Sequence, residues 1–283
     1  MKHNFAVFIL THNRVDRQMT TKTLEKGNYS GPIYYIIDNE DPSEAAMREI
    51  YGDSVIVFDK ALAHTITDTM DNEPHQRGVV FARNIVWSIA EKLGVDYFIV
   101  LDDDYTLFRH LCDNYMVATY KPINDLDRIF DAMTDFLITS GSLTVCMGQG
   151  GDYIGGTGWE KPKRKAMNSF VCATNRPFKF LGRINEDVNA YVTLGCRGHI
   201  LISIMKIGLN QTITQTNAGG LTELYLHSGT YVKSFYSVMC HPSGVKVKTL
   251  RGNTHNRLHH QINWKQTIPC IIKEELRKES INA

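Results

Sequence analysis

Three adjacent aspartates close an apolar segment in the first half of the chain. The run Tyr97–Leu101 is followed at once by Asp102, Asp103 and Asp104. Neighbouring carboxylates repel one another, and a hard divalent cation relieves that repulsion while it also binds diphosphate oxygens. If the strand geometry continues through the triplet, Asp102 and Asp104 share one side and Asp103 faces away, because side chains alternate along a strand. A solvated acidic turn that caps the next helix is the alternative.

A second acidic pair, Glu186 and Asp187, lies at the start of a segment predicted to be helical from Asp187 to Val192. A hydroxyl group is a poor nucleophile, and a carboxylate within hydrogen-bonding reach assists its attack by accepting the proton. The pair is therefore a candidate general base. Alternatively, both acids only stabilise the helix N-terminus through the helix dipole.

A glycine-rich segment from Gly148 to Gly158 leads into a basic tract, Lys161–Lys165, in which four of five residues are cationic. The formal net charge is only +1, so any polyanion site must be local. Phosphate contacts by Lys163, Arg164 and Lys165 would weaken as salt rises, and Trp159 is placed to stack on an extruded base. A solvated charge run is the alternative.

The elements that must position these residues alternate along the first hundred residues. Apolar runs at Phe5–Leu10, Ile33–Ile37, Val55–Phe58 and Tyr97–Leu101 predict buried strands, and Gln76 to Leu93 has helical spacing of its apolar residues. Such alternation favours an α/β fold in which ligands bind beyond the carboxyl ends of the strands.

The remaining sequence predicts a helix at 124–139, a strand at 143–147 and a helix beginning near Leu221. We expect one domain, 1–283, with a sugar-nucleotide half at 1–147 and an acceptor half at 148–283. No signal peptide is recognised, and no apolar stretch approaches the roughly 20 residues needed to span a bilayer. We therefore expect a cytoplasmic protein with no membrane partner.

Four segments resemble the GT-A glycosyltransferases, whose fold is a Rossmann-like mixed sheet flanked by helices. They are the strand followed by Asp-x-Asp and the segments Phe8–Arg14, Ile36–Asn39 and Phe81–Asn84. The resemblance implies that a metal, Mn²⁺ or Mg²⁺, binds a UDP-sugar at Asp104 and Asp102. It also implies a set of donor-binding residues: Thr11, Arg14, Asp38, Arg83, Asn84, Asp102 and Asp103.

The same resemblance assigns the remaining catalytic roles. The Glu186-Asp187 pair looks like the acidic motif of inverting GT-A enzymes, in which the Asp is the base, and this implies Asp187 as catalytic base with Glu186 beside it. A C-terminal histidine completes the metal shell or binds diphosphate in many such enzymes. His255, close to Arg251 and Arg257, is the candidate here, and it has helical spacing from His259. Surface histidines in a tail are the alternative.

A narrower resemblance covers nearly the whole chain. Gly148–Gly156, Gly182–Asn189 and Gly229–Phe235 are similar to the phage glycosyltransferases called TET-associated or GREIN-type. This implies transfer of glucose, arabinose or a similar sugar to 5-hydroxymethylated pyrimidine, foremost 5-hydroxymethylcytosine, in double-stranded DNA within a host cytoplasm. Gly150, Gly151 and Asp152 would join the acceptor-binding loop. The family motif has a Glu that is absent between Arg183 and Ile184.

Three other functions stay open from the sequence. A glycosyltransferase with a non-DNA acceptor would keep the same donor site. A reader of modified DNA would bind through the basic tract without turning over a sugar nucleotide. A nucleotidyltransferase would share the acidic metal ligands, but a glycine-rich phosphate loop would be expected after the first strand, where Thr11–Arg14 contains no glycine.

Overall fold

An eight-stranded mixed sheet forms the centre of the protein. The computed structural model describes residues 1–72, 78–112, 119–149, 165–212, 222–251, 256–267, 272 and 274–276. The strands are β1 (Phe5–Leu10), β2 (Ile33–Asp38), β3 (Val55–Phe58), β4 (Tyr97–Asp102), β5 (Tyr105–His110), β6 (Thr144–Gln149), β7 (Ser169–Ala173), β8 (Leu201–Gln211), β9 (Val245–Arg251) and β10 (Asn256–Ile262). The helices are α1 (Met19–Lys26), α2 (Glu44–Tyr51), α3 (Lys60–Thr65), α4 (Val80–Lys92), α5 (Leu126–Ser140), α6 (Glu186–Cys196), α7 (Thr222–Cys240) and α8 (Trp264–Thr267).

The strand order of the sheet is β3-β2-β1-β4-β7-β6-β8-β5. The first four strands of this order are parallel, whereas β7 runs antiparallel to both β4 and β6, and β5 is antiparallel to β8. The expected α/β class with a mixed sheet and flanking helices is therefore confirmed. Its division into a nucleotide half and an acceptor half stays a prediction.

Strand β1 shows why the centre of the sheet is apolar on both faces. Ala6, Phe8 and Leu10 pack into a core layer with residues of α4 and α6, while Phe5, Val7 and Ile9 pack into a second layer with residues of α1 and α5. All six β1 residues are buried. A strand covered on both sides has no polar face, which explains the continuous apolar run in the sequence.

The hydrophobic pattern of the sequence predicted the bounds of most helices and strands in the first half to within a few residues. The helix predicted at 76–93 spans Val80–Lys92, with residues 73–77 outside the described part, and the helix predicted at 124–139 spans Leu126–Ser140. The helical spacing of His255 and His259 was misleading, because Asn256–Ile262 is a strand of a separate two-stranded sheet, β9-β10. Within the described residues, none of the helices is both long and apolar enough to cross a bilayer.

Candidate active site

The acidic triplet and the loop after β1 meet because β1 and β4 are parallel neighbours. Leu10 is paired with Asp102 in the register of the two strands. Residues that follow each strand therefore emerge at the same edge of the sheet, where parallel α/β sheets bind ligands. Strand β2 pairs with β1 on the other side and ends at Asp38. Three segments predicted to bind the donor are thus brought together.

Asp103 points into the protein and holds the loop after β1. Thr11 Oγ1 donates to Asp103 Oδ2 at 2.6 Å, and Arg14 Nη1 donates to Asp103 Oδ1 at 2.6 Å. Asp103 is only 2% exposed; burial raises its pKa, while the bonds from Thr11 and Arg14 oppose that rise. Each oxygen accepts one hydrogen bond from the loop after β1, so Asp103 positions that loop, and the expected donor contact by Asp103 stays a prediction.

Asp102 and Asp104 are more exposed than Asp103. Asp102 retains 32% of its side-chain exposure while it accepts hydrogen bonds from Arg83 and from the Tyr105 hydroxyl. Thr212 Oγ1 donates to Asp104 Oδ2 at 2.8 Å. Burial raises the pKa of Asp104 and the neighbouring Asp102 charge raises it further, whereas the Thr212 bond lowers it. A carboxylate whose charge is disfavoured by a neighbouring carboxylate is suited to sharing a cation with it.

Arg83 joins the acidic triplet to the second acidic pair. Its Nη1 donates to Glu186 Oε1 at 2.6 Å and its Nη2 lies 3.3 Å from Asp102 Oδ1. The guanidinium also lies over the ring of Phe170, 5.1 Å from the ring centroid. Arg83 is 3% exposed, so it is a buried, fixed charge. The sequence indicated Arg83 as a donor contact but gave no sign of this bridge.

Glu186 and Asp187 are the first two residues of α6, and both are buried, whereas acids that only stabilise a helix N-terminus are usually exposed. Their exposures are 7% and 8%. Burial raises the pKa of both groups; Arg83 opposes this at each, and the Asp187 charge adds to the rise at Glu186. Asp187 Oδ1 accepts a hydrogen bond from the backbone N–H of Val188 at 2.8 Å. A carboxylate with a raised pKa and a fixed orientation is better suited to accept a proton than an exposed one.

The turn before α6 is braced by a second buried arginine. Arg183 Nε donates to Asp71 Oδ2 at 3.0 Å, and the Tyr236 hydroxyl of α7 donates to the same oxygen at 2.6 Å. Tyr236 also bonds to the carbonyl of Thr69. Asn185 takes a left-handed conformation with φ of 54°, and its amide donates to the carbonyl of Lys233. This network fixes the position from which α6 presents the acidic pair.

A substitution at Gly182 tests how tightly the turn before α6 is packed. The φ of Gly182 is +82°, and an added Cβ would lie 2.6 Å from Asn189 Nδ2 and 2.8 Å from Tyr236 Cε1. Asn189 Nδ2 is held by two carbonyls, so it has little room to shift. We expect Gly182→Ala to cost ~3 kcal/mol, from left-handed strain and overpacking together. Gly94→Ala is the matched control, because Gly94 has φ of +66° and open space, and ~1–2 kcal/mol is expected from strain alone. Equal losses in chemical denaturation would show that the turn tolerates the clash.

Asp38 lies in a small charged cluster that the sequence did not indicate. His12 Nδ1 lies 3.2 Å from Asp38 Oδ2 and 3.5 Å from Asp41 Oδ2, and Lys60 Nζ lies 3.5 Å from Asp38 Oδ1. The bond to Asp38 raises the pKa of His12. Burial raises the pKa of Asp38, but His12 and Lys60 outweigh it, so that pKa is lowered. Asp38 is thus held ionised at the end of β2.

This cluster predicts a pH-dependent contribution to stability. A raised histidine pKa stabilises the fold fully below its ordinary value of about 6.5, and this stabilisation is lost as pH rises through the folded pKa. We expect His12→Gln to lower the melting temperature by about 1–3 °C at pH values below the ordinary histidine pKa and by less at mildly alkaline pH. Thermal denaturation of both proteins across this range measures it. A loss independent of pH would assign His12 a packing role only.

Asn84 is buried in α4 and hydrogen-bonded to the segment before α6. Its Nδ2 donates to Thr67 Oγ1 and to the Phe180 carbonyl, and its Oδ1 accepts from the Phe180 N–H. The side chain is buried and its hydrogen-bonding groups are used by the protein. Asn84 therefore holds α4 against the segment before α6, and the expected donor contact by Asn84 stays a prediction.

Several predicted residues lie outside the described part of the chain. These are His255, Gly150, Gly151, Asp152, Trp159, Lys163 and Arg164. Lys165 is described and half-buried, with its carbonyl accepting a hydrogen bond from Ser203 Oγ at 2.5 Å. Among the described residues, no group of three or more His, Cys, Asp or Glu side chains is arranged to hold a metal ion. Any ion at Asp102 and Asp104 must therefore draw further ligands from elsewhere, such as the donor.

Comparison with known proteins gave one family and a set of distant structures. The family model described as TET-Associated Glycosyltransferase matches residues 5–220. No curated protein was found to match. Glucosyl-3-phosphoglycerate synthase from Mycobacterium tuberculosis is similar in its complex with Mg²⁺ and UDP, at TM-score 0.48, 11% identity and coverage of 92% of this chain and 88% of that one. Its complex with Mn²⁺ and UDP-glucose is similar at TM-score 0.46 and 10% identity, with coverage of 92% of this chain and 87% of that one. Similarity at this level does not transfer function between the two proteins.

Proposed function

The chain belongs to the TET-associated glycosyltransferase family, and we propose that it transfers a sugar from a UDP-sugar to a hydroxymethylated pyrimidine in DNA. The observation that carries the proposal is the Arg83 bridge between Asp102 and Glu186. Glycosyl transfer needs a site for the diphosphate next to a group that accepts the acceptor's proton. The buried guanidinium of Arg83 connects Asp102, a candidate for the diphosphate site, to the acidic pair that contains the candidate base.

The donor site proposed here is built on Asp102 and Asp104. Their oxygens are hard ligands of the kind that Mn²⁺ and Mg²⁺ prefer. A cation between them would offset both causes that raise the pKa of Asp104, which are its burial and the neighbouring Asp102 charge. When bound, the ion would neutralise charge on the departing diphosphate. Asp38 at the end of β2 and the loop held by Thr11 and Arg14 would receive the nucleoside, with His255 a further candidate for the diphosphate.

The acceptor side is proposed to use Asp187 as the base. The hydroxymethyl oxygen forms a bond to the anomeric carbon, and its proton passes to Asp187. The bond from that carbon to the diphosphate oxygen breaks, and its electron pair leaves with UDP. One base on one side of the sugar fits a single displacement, which inverts the anomeric configuration. Glu186 positions Arg83 through their 2.6 Å ion pair instead of taking the proton.

The DNA acceptor is supported by the TET association in the family description and by the resemblance of the Gly148–Gly156 and Gly182–Asn189 segments. A hydroxymethyl group on a pyrimidine is the nucleophile this chemistry needs, and 5-hydroxymethylcytosine is the form we favour. Glucose and arabinose are both compatible donors.

One assay tests the whole proposal. The protein is incubated with Mn²⁺ or Mg²⁺ and a panel of nucleotide sugars, with hydroxymethylated or unmodified duplex DNA, and free nucleoside diphosphate is measured. Release that depends on the modified DNA, together with added sugar mass in digested product DNA, is expected. Release without modified DNA would indicate another acceptor, and DNA binding without any release would indicate a non-catalytic reader.

A further inference from the structure

The β9-β10 ribbon, Val245–Arg251 paired with Asn256–Ile262, has one strongly basic face. Lys246 and Lys248 are exposed and separated by two positions, so they project from the same face of β9. In the antiparallel register Lys248 is opposite His259 and Leu250 is opposite Arg257. Arg257, which is also exposed, therefore shares that face. The opposite face packs into the core at Val245 and Ile262, while Thr249 and Arg251 on that face are exposed.

The sequence around the ribbon lacks negative charge. No Asp or Glu occurs from Leu224 to Lys273, while this stretch contains the cations Lys233, Lys246, Lys248, Arg251, Arg257, Lys265 and Lys273. The chain as a whole has 31 Lys and Arg against 30 Asp and Glu. The C-terminal region is therefore segregated by charge in a protein that is nearly neutral. A solvated surface would ordinarily mix the two signs.

The basic face is connected to the acidic pair through α7. Lys233 is half-buried and lies within electrostatic reach of Asp187 and Glu186 on one side and of Arg257 on the other. Burial lowers the pKa of His259, and the charges of Lys165, Arg257 and Lys233 lower it further. Positive charge thus extends from the ribbon to the proposed base.

We propose that the β9-β10 ribbon, through Lys246, Lys248 and Arg257, is the contact surface for the phosphodiester backbone of duplex DNA. The inference rests on the proposed function and adds the surface that holds its acceptor. Cations two positions apart on a strand are about 6.7 Å from each other, which lets them contact successive phosphates. A two-stranded ribbon is also narrow enough to enter the major groove. The ribbon leads the duplex towards Asp187, where an extruded base would react.

The test compares two triple variants in binding a short fluorescein-labelled duplex without modified bases, followed by anisotropy over a series of NaCl concentrations. In Lys246→Gln/Lys248→Gln/Arg257→Gln we expect affinity to fall by about tenfold or more, and the slope of log affinity against log salt to shrink by about 2.7, or 0.9 for each lost phosphate contact. The control is Lys22→Gln/Lys26→Gln/Lys92→Gln, which removes three exposed lysines from α1 and α4 and should behave as the wild type.

The outcomes separate this inference from the proposed function. An unchanged slope in the ribbon variant, or an equal loss in the control variant, overturns the ribbon as the DNA surface whatever the transfer assay shows. Wild-type protein that binds the duplex through the ribbon but never releases UDP would uphold the surface and refute the transferase. Unchanged melting temperatures confirm that both variants are folded.

Discussion

Replacing Asp104 with Asn is expected to abolish the metal-dependent part of donor binding and to lower kcat/KM by about 100-fold or more, because a coordinated cation contributes several kcal/mol to leaving-group stabilisation. The Asn side chain keeps the shape and can still accept the hydrogen bond from Thr212. What it loses is the charge that attracts the ion. The effect should appear as weaker binding of UDP in the presence of Mn²⁺, measured by calorimetry.

Asp53→Asn is the matched control for this substitution. Asp53 is exposed in the turn before β3, so the change removes the same charge at a position away from the site. Its UDP titrations should equal those of the wild type with and without metal. Wild-type protein that binds UDP equally well in the presence and absence of both Mn²⁺ and Mg²⁺ would contradict the metal site. The acidic triplet would then have only its loop-holding role through Asp103.

Replacing Asp187 with Asn is expected to remove transfer and leave donor binding intact. Loss of a general base lowers the rate by about 10²–10⁴-fold. Because the proton is transferred only in the reaction step, the loss should appear in kcat, with little change in the KM for the UDP-sugar. The Asn oxygen can still accept from the Val188 N–H, so α6 should begin as before. Initial-rate measurements of UDP release at saturating modified DNA give both constants.

Glu186→Gln separates the base from its neighbour. This change removes the charge that Arg83 meets at 2.6 Å and leaves Arg83 with the longer 3.3 Å pair to Asp102. Breaking a buried pair costs up to about 3–5 kcal/mol. We therefore expect Glu186→Gln to lower the melting temperature markedly, unlike Asp187→Asn. Undiminished turnover in Asp187→Asn would assign the base to another group or require a retaining mechanism.

The sequence by itself determined those features that depend on neighbours along the chain. The strands at Phe5–Leu10 and Val55–Phe58 were predicted with their observed bounds, because a strand covered on both faces must be apolar throughout. Polar residues after such strands reach the ligand edge by the geometry of parallel sheets, so Thr11, Asp38 and Asp102 could be grouped without coordinates. Asp103 is buried and Asp102 and Asp104 are more exposed, as expected, but β4 ends at Asp102 and the next two residues form a turn, so strand alternation is not the cause.

Only the tertiary structure decided which distant groups meet. Arg83 and Glu186 are separated by 103 positions and Arg183 and Asp71 by 112, and no periodicity in either segment encodes these pairs. The sequence pattern of Asn84 did not indicate that its side-chain amide is hydrogen-bonded to the backbone of Phe180, 96 positions away. His255 and His259 had helical spacing, but pairing with β9 placed 256–262 in a strand. Local propensity is a weak bias, and burial and long-range pairing supply the larger free energies that override it.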